Sequence, residues 1–190
     1  MDRSRSLVVP VLLVAMHLLP AARAAENGDA AATFVRYWTA YASGDYSTTA
    51  NSMCAADLKG LQSELLPLFE RLAQFNEPEP RQMYETFFDG VPKDEHAALD
   101  DRQVFVLLQK FIAKARPDYL AAVKESTVTP LQTSIDASDS ALATVRYRLA
   151  IGTASQTGLQ QLRLAGDGWC LVPPETVADT VARFKKAFRM

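Results

Sequence analysis

The sequence predicts an α+β fold, N-terminal helices packed against an antiparallel sheet of about four strands, with a C-terminal helix. Two changes of period carry that expectation. Up to about residue 124 the apolar residues recur at helical spacing, and from Ser126 they alternate with polar ones. Residues 175–188 then return to a helical pattern. A third observation anchors the sheet: Leu162 and Leu164 alternate with Gln161 and Arg163, Gly166-Asp167-Gly168 can reverse the chain, and Trp169, Leu171 and Val172 return before Pro173-Pro174. Glycine supplies the positive φ that hairpin turns need, and proline cannot donate to a ladder.

The start of the chain reads as a secretory leader. Arg3 and Arg5 give a positive start, Leu7 to Leu19 an apolar core, and Ala22-Arg23-Ala24 a small-x-small cleavage site. The apolar run is short for a membrane span and is interrupted by Pro10 and His17. The expectation is therefore a signal peptide over residues 1–24, a mature chain from about Ala25, a periplasmic or secreted location, and no stable membrane span after cleavage. The whole chain has 20 basic and 22 acidic residues, net −2. Removing the leader leaves 17 and 21, net −4, a balance that argues against a nucleic-acid partner. His96 is then the only histidine. That disfavours histidine-based triads and zinc sites, and no metal or cofactor set is legible.

Residues 25–190 are long enough for one domain with a real core. The first helix is expected over Asp29–Ser43, with Phe34, Tyr37, Trp38 and Tyr41 on one stripe and Gly44 ending it. A short helix follows over Tyr46–Met53. A longer one carries Leu58, Leu61, Leu65, Leu68, Phe69 and Leu72, with Pro67 expected to kink or divide it. Residues 76–80 read as a break. Met83, Tyr84, Phe87 and Phe88 form a brief helix stopped by Gly90 and Pro92, and His96 falls in a polar loop. Asp100 or Asp101 can cap the next helix, whose face is Val104, Leu107, Leu108, Phe111 and Ile112. A turn of helix follows Pro117, through Tyr119 to Val123.

The first strand is read from Thr127, Thr129, Leu131, Thr133 and Ile135 as one face, and the second from Ala143, Val145, Tyr147, Leu149 and Ile151. Residues 152–158 read as a polar loop before the closing hairpin. The last helix spans Glu175–Phe188, with Val177, Val181, Phe184 and Phe188 inward and basic residues at its C-terminal end. Cys54 and Cys170 are an even pair in an exported chain, so they either bridge or remain two buried thiols. Spacing alone does not choose between these.

Two segments give a family resemblance: the first helix ending in Ala42-Ser43-Gly44-Asp45-Tyr46, and Leu162 to Val172 with its turn and tryptophan. Both are similar to the NTF2-like (SnoaL-like, cystatin-like cone) superfamily. The helical insert from about residue 58 to 118 is larger than such a domain usually carries. The resemblance implies a curved sheet wrapped around the first helix and a conical cavity that binds a small apolar molecule, houses an active site, or is filled. The same cone also serves as a homodimer or protein-partner surface.

Tyr37, Trp38, Tyr41, Tyr84, Phe88, Tyr147 and Trp169 are the side chains that could line such a pocket; aromatics at helical spacing also make ordinary cores. Arg146 and Arg148 could hold an anion or simply sit on a solvated face. Glu64, Glu70, Glu77 and Glu79 read as solubilising. No phosphate loop, nucleophile elbow or Cys-x-x-Cys motif is present. The expected function is a non-enzymatic exported binding module, the alternatives being a cone-cavity hydrolase or isomerase using a carboxylate, or a structural envelope protein with a filled cone.

Overall fold

A computed structural model describes residues 19–166 and 168–188, with side chains from Ala30 onward. Among the described residues the fold is α+β, with eight α-helices, one 3-10 helix and one antiparallel four-stranded sheet. Of the expected leader, residues 1–18 lie outside the described residues. The first helix, α1, runs Leu19–Ser43 and so starts well before Asp29. Its early sequence is rich in alanine, the strongest helix former, and Asn27-Gly28-Asp29 does not interrupt it. Gly44, at φ +80°, ends the helix as expected. Asp45 then caps α2 (Tyr46–Ser52) by accepting from the Thr48 N–H at 3.0 Å.

The next helical stretch is divided by glycine, not by proline. Short α3 (Ala55–Leu58) and α4 (Leu61–Leu72) are separated at Gly60, φ +90°, while Pro67 lies inside an unbroken α4. Pro67 is on the exposed side of α4, where the Ser63 carbonyl it leaves unbonded can reach water. The two aspartates at the next boundary do separate jobs. Asp100 forms a reciprocal capping box with Gln103 at the start of α6 (Asp101–Ala115). Asp101 instead accepts from the Gln62 N–H at 2.8 Å and the Gly60 N–H at 3.3 Å, tying the start of α4 to α6.

Residues 76–80 are less of a break than their composition suggests. α5 (Pro78–Phe87) begins with Pro78 in its first turn, where a missing N–H costs nothing. His96 is also not in an exposed loop: it lies in a 3-10 helix, Lys93–Ala98, and is 2% exposed. After α6, α7 (Pro117–Lys124) leads into the sheet.

The strands are β1 (Ser126–Ile135), β2 (Leu142–Ile151), β3 (Ala154–Ala165) and β4 (Gly168–Leu171), in that spatial order. Two expectations change here. The β1 register shifts between Pro130 and Gln132, so Leu131 is an extra residue. Before it Ser126, Val128 and Pro130 are the more buried residues, and after it Thr133 and Ile135. The single face Thr127–Ile135 read from the sequence is therefore split by a β-bulge, and Leu131 is exposed. Pro130 is tolerated because β1 is an edge strand.

The expected loop at 152–158 is mostly strand. Ile151 pairs with Ala154, so the turn is only Gly152-Thr153, with Gly152 at φ +56°. Residues 154–157 are exposed on both faces, which removes the apolar alternation that would have marked them.

α1 packs on β1, β2 and β4, and α4, α5 and α6 form a helical layer to which α8 (Val177–Ala187) returns. Phe69 is the centre of that layer. It stacks on Phe87 at 3.7 Å and meets Phe111, Phe184 and Phe188 at 5.2, 5.5 and 5.6 Å. The insert expected over 58–118 thus has its own aromatic core, continuous with the residues under the sheet, Val145, Leu162 and Leu171.

Candidate functional site

The stripe of α1 meets the sheet through Phe34, whose ring lies 4.7 Å from that of Tyr147 on β2. Tyr37 stacks on Tyr41 at 6.3 Å, and Trp38 packs against Phe34 and Tyr41. These contacts follow from helical spacing on α1 and from the period of two on β2. The Trp38 indole N–H donates to the Ser126 hydroxyl at 3.0 Å, and that hydroxyl donates to the Val123 carbonyl at 2.6 Å. A half-buried indole thereby gains the partner it needs, and the start of β1 is pinned to α1.

Phenols gather at this interface. Burial pushes the Tyr37 hydroxyl up to about 12, with Tyr119 and Tyr147 adding to the shift. Burial also raises Tyr41, helped by Tyr119 and Tyr37, and raises Tyr147. At neutral pH the cluster therefore presents protonated phenols, each able to donate and accept one hydrogen bond.

Of the seven aromatic residues expected to line a pocket, the structure brings Tyr37, Trp38, Tyr41 and Tyr147 together here. Tyr84 and Phe88 belong to a second cluster in the helical layer. Phe88 stacks face to face on His96 at 3.7 Å and 11°, and Tyr84 approaches both rings. His96 Nε2 faces the Val91 carbonyl at 3.3 Å, while Nδ1 makes no hydrogen bond and lies 3.8 Å from a Glu70 carboxylate oxygen. Glu70 is thus near a buried ring rather than only solubilising. Trp169, 7% exposed, is in the core with Ala30 and Phe34, as the packing of α1 on β4 requires.

Cys54 and Cys170 are bridged, with Cα atoms 4.9 Å apart and a separation of 116 positions in sequence. Beside the bridge the Cys54 N–H donates to the Leu171 carbonyl at 3.0 Å, and Met53 pairs with Leu171. On the same side Arg163 reaches Asp57 at 2.9 Å. The segment after α2 is therefore fastened to β4 by backbone, covalent and ionic contacts. Arg146 and Arg148 are exposed on the opposite face of β2 from Val145 and Tyr147.

Among the described residues several surface grooves are present, and three of them adjoin α8. Two of about 320 and 440 Å³ share Lys59, Val177 and Ala178 along α8. A third, about 500 Å³, lies where α4, α5 and α8 meet, lined by Leu72, Phe75, Met83 and Phe188 with Glu77 and Glu79 at its margin. None of the seven aromatic residues lines these three grooves. The sequence did not mark the third, because its lining comes from the ends of three separate elements. Leu72, Met83 and Phe188 each read as part of a separate helix face, and nothing local marks their convergence. Compared with models of known families, with characterised proteins and with solved structures, the chain matches none.

Proposed function

We propose that the protein is an exported, non-enzymatic NTF2-like domain that binds a small apolar ligand between α1 and the sheet. The observation that carries this reading is the facing of Phe34, Tyr37 and Trp38 on α1 with Tyr147 on β2. A long helix laid across an antiparallel meander, with aromatic side chains on both, is what the family resemblance implies for a ligand-binding cone. The ionisable groups of that interface are phenols held protonated at neutral pH. They suit hydrogen bonding to a carbonyl or hydroxyl of a largely apolar ligand better than proton transfer, which favours binding over catalysis. The Cys54–Cys170 bridge supports an oxidising compartment, in keeping with the leader.

The test is native mass spectrometry of protein purified from an exporting host, followed by extraction. A bound lipophilic molecule that is lost on Tyr147→Ala, with the fold retained by circular dichroism, supports the reading. Protein without ligand that also fails to take up a panel of apolar fluorophores overturns it. A partner-binding reading rests on a different face: Leu131 and Leu159 are exposed, Leu159 at 69%, and Leu159 lies directly opposite Arg146.

A further inference from the structure

The cleft among α4, α5 and α8 has a chemistry of its own. Its floor is Leu72, Phe75, Met83 and Phe188, and its volume of about 500 Å³ is in the range of small-molecule sites. Leu72 is buried, whereas Phe75, Met83 and Phe188 are partly buried and packed against the core, so the floor is braced from behind.

Among the described residues that line the cleft, the charged ones have one sign. Glu77 and Glu79 line the cleft, and neither takes part in an ion pair among the described residues. Glu77 occupies the N-cap position of α5 but makes no side-chain capping bond. A helix start would ordinarily attract an anion through its free N–H groups. Here Pro78 and Pro80 lack that hydrogen, and Glu79 already opposes the positive end of the helix. The nearest base on α5, Arg81, turns back to the Phe75 carbonyl at 3.1 Å. Ala187 and Phe188, at the negative end of α8, close the other side. Lys185 lines the groove on the far flank of α8 instead.

The geometry points to this cleft as a binding site for a small amphiphilic cation, its hydrocarbon part on Leu72, Phe75, Met83 and Phe188 and its ammonium group between Glu77 and Glu79. The site is separate from the α1–sheet interface, and its existence does not depend on what that interface binds.

Titration calorimetry on the full chain with decylammonium, decanol and decanoate, each below its aggregation threshold, tests the assignment. Decylammonium should bind at one site and more tightly than decanol, with decanoate weakest. Replacing both carboxylates, Glu77→Gln with Glu79→Gln, should weaken decylammonium by about tenfold and leave decanol unchanged, since exposed charge contacts contribute on that order. Met83→Trp, which fills the cleft, should weaken all three. Decanoate binding as tightly as decylammonium overturns the proposal, as does decylammonium binding that Met83→Trp leaves untouched. A parent protein that is dimeric, and becomes monomeric with Met83→Glu, would assign the cleft to a second copy and overturn it as well.

Discussion

Tyr147 and Gly158 stand opposite each other on β2 and β3, and a Cβ added to Gly158 would lie 2.4 Å from the Tyr147 Cζ and hydroxyl oxygen. The tyrosine ring thus lies over the backbone of the neighbouring strand, in space that only glycine leaves. Phe34 packs on the ring from the α1 side and limits its retreat. Gly158→Ala should therefore destabilise the protein by about 1–3 kcal/mol, the usual cost of overpacking. In a Tyr147→Ala background the same change should cost little, because alanine suits a strand better than glycine. Urea melts of the four proteins give the coupling. Equal effects of Gly158→Ala in both backgrounds would remove the steric explanation.

The bridge between Cys54 and Cys170 closes a long loop and fastens the segment after α2 to β4. Loss of a native disulfide from a small domain typically costs about 2–5 kcal/mol. Reduction, or the double change Cys54→Ser with Cys170→Ser, should lower stability on that scale. Hydrogen exchange should rise first at the Cys54 amide, which donates to Leu171. Identical melts with and without reductant would show that the bridge contributes nothing to the folded state's stability.

The longer helices and their order were legible in the sequence because each has an apolar face on one period, whereas the 3-10 helix at Lys93–Ala98 and the split between α3 and α4 were not. What escaped has identifiable causes. Residues 154–157 of β3 are exposed on both faces, so no alternation announces them. The bulge at Leu131 reverses the phase of β1 midway, and a period-two reading cannot carry across an extra residue. Pro67 does not divide α4, because proline is harmless where its orphaned carbonyl faces water, and the division falls at Gly60 instead. Asp101 caps a helix distant in sequence, and the burial of His96 depends on Phe88 and Val91 arriving from α5 and the turn after it. Neither the distant contact of Asp101 nor the folding-back of the chain over His96 leaves a mark in local composition. The Cys54–Cys170 pairing is of the same kind: the residues were evident, and their approach was not.

Alkaline pH should loosen the α1–sheet interface through Tyr37. Its phenol is raised from 10.0 to about 12 in the folded protein, so the folded state keeps a proton that the unfolded chain loses. The unfolded state then binds fewer protons, and stability falls as pH rises. The contribution is fully present below about pH 10 and is lost between there and about pH 12. Thermal melts from pH 8 to 11 should show a steeper decline for the parent than for Tyr37→Phe. Superimposable pH profiles would mean that Tyr37 is not the group responsible.

His96 separates ring packing from polar bonding. Its ring is 2% exposed and lies flat on Phe88, while its one close polar contact is the 3.3 Å approach of Nε2 to the Val91 carbonyl. His96→Ala removes both and should cost about 2–4 kcal/mol, as expected when a buried ring is truncated. His96→Phe keeps the stack, removes the unbonded Nδ1, and forfeits one hydrogen bond of about 1 kcal/mol. The phenylalanine variant should therefore lose less than half of what the alanine variant loses in a urea melt. Equal losses would put the stabilisation in the Val91 contact instead.

Trp169 and Leu164 are directly paired across β3 and β4, on the face shared with Leu162 and Leu171, yet they differ in burial. Trp169 is 7% exposed and Leu164 is 38% exposed. α1 covers β4, and Trp169 shares its cluster with Ala30 and Phe34, whereas Leu164 lies one residue from the end of β3, beside the turn at Gly166. Truncation should follow burial rather than sequence pattern. Trp169→Ala should cost about 3–5 kcal/mol, because the vacated volume cannot be refilled by a helix whose position is also set by β1 and β2. That is a large share of the stability of a domain this size and should lower the melting temperature by many degrees. Leu164→Ala loses little buried surface and should cost under about 1 kcal/mol. Trp169→Phe, retaining most of the ring, should fall between them. If Trp169→Ala melted like Leu164→Ala, the tryptophan would not be packed beneath α1, and the helix would owe its place on the sheet to Phe34 and Tyr147 alone.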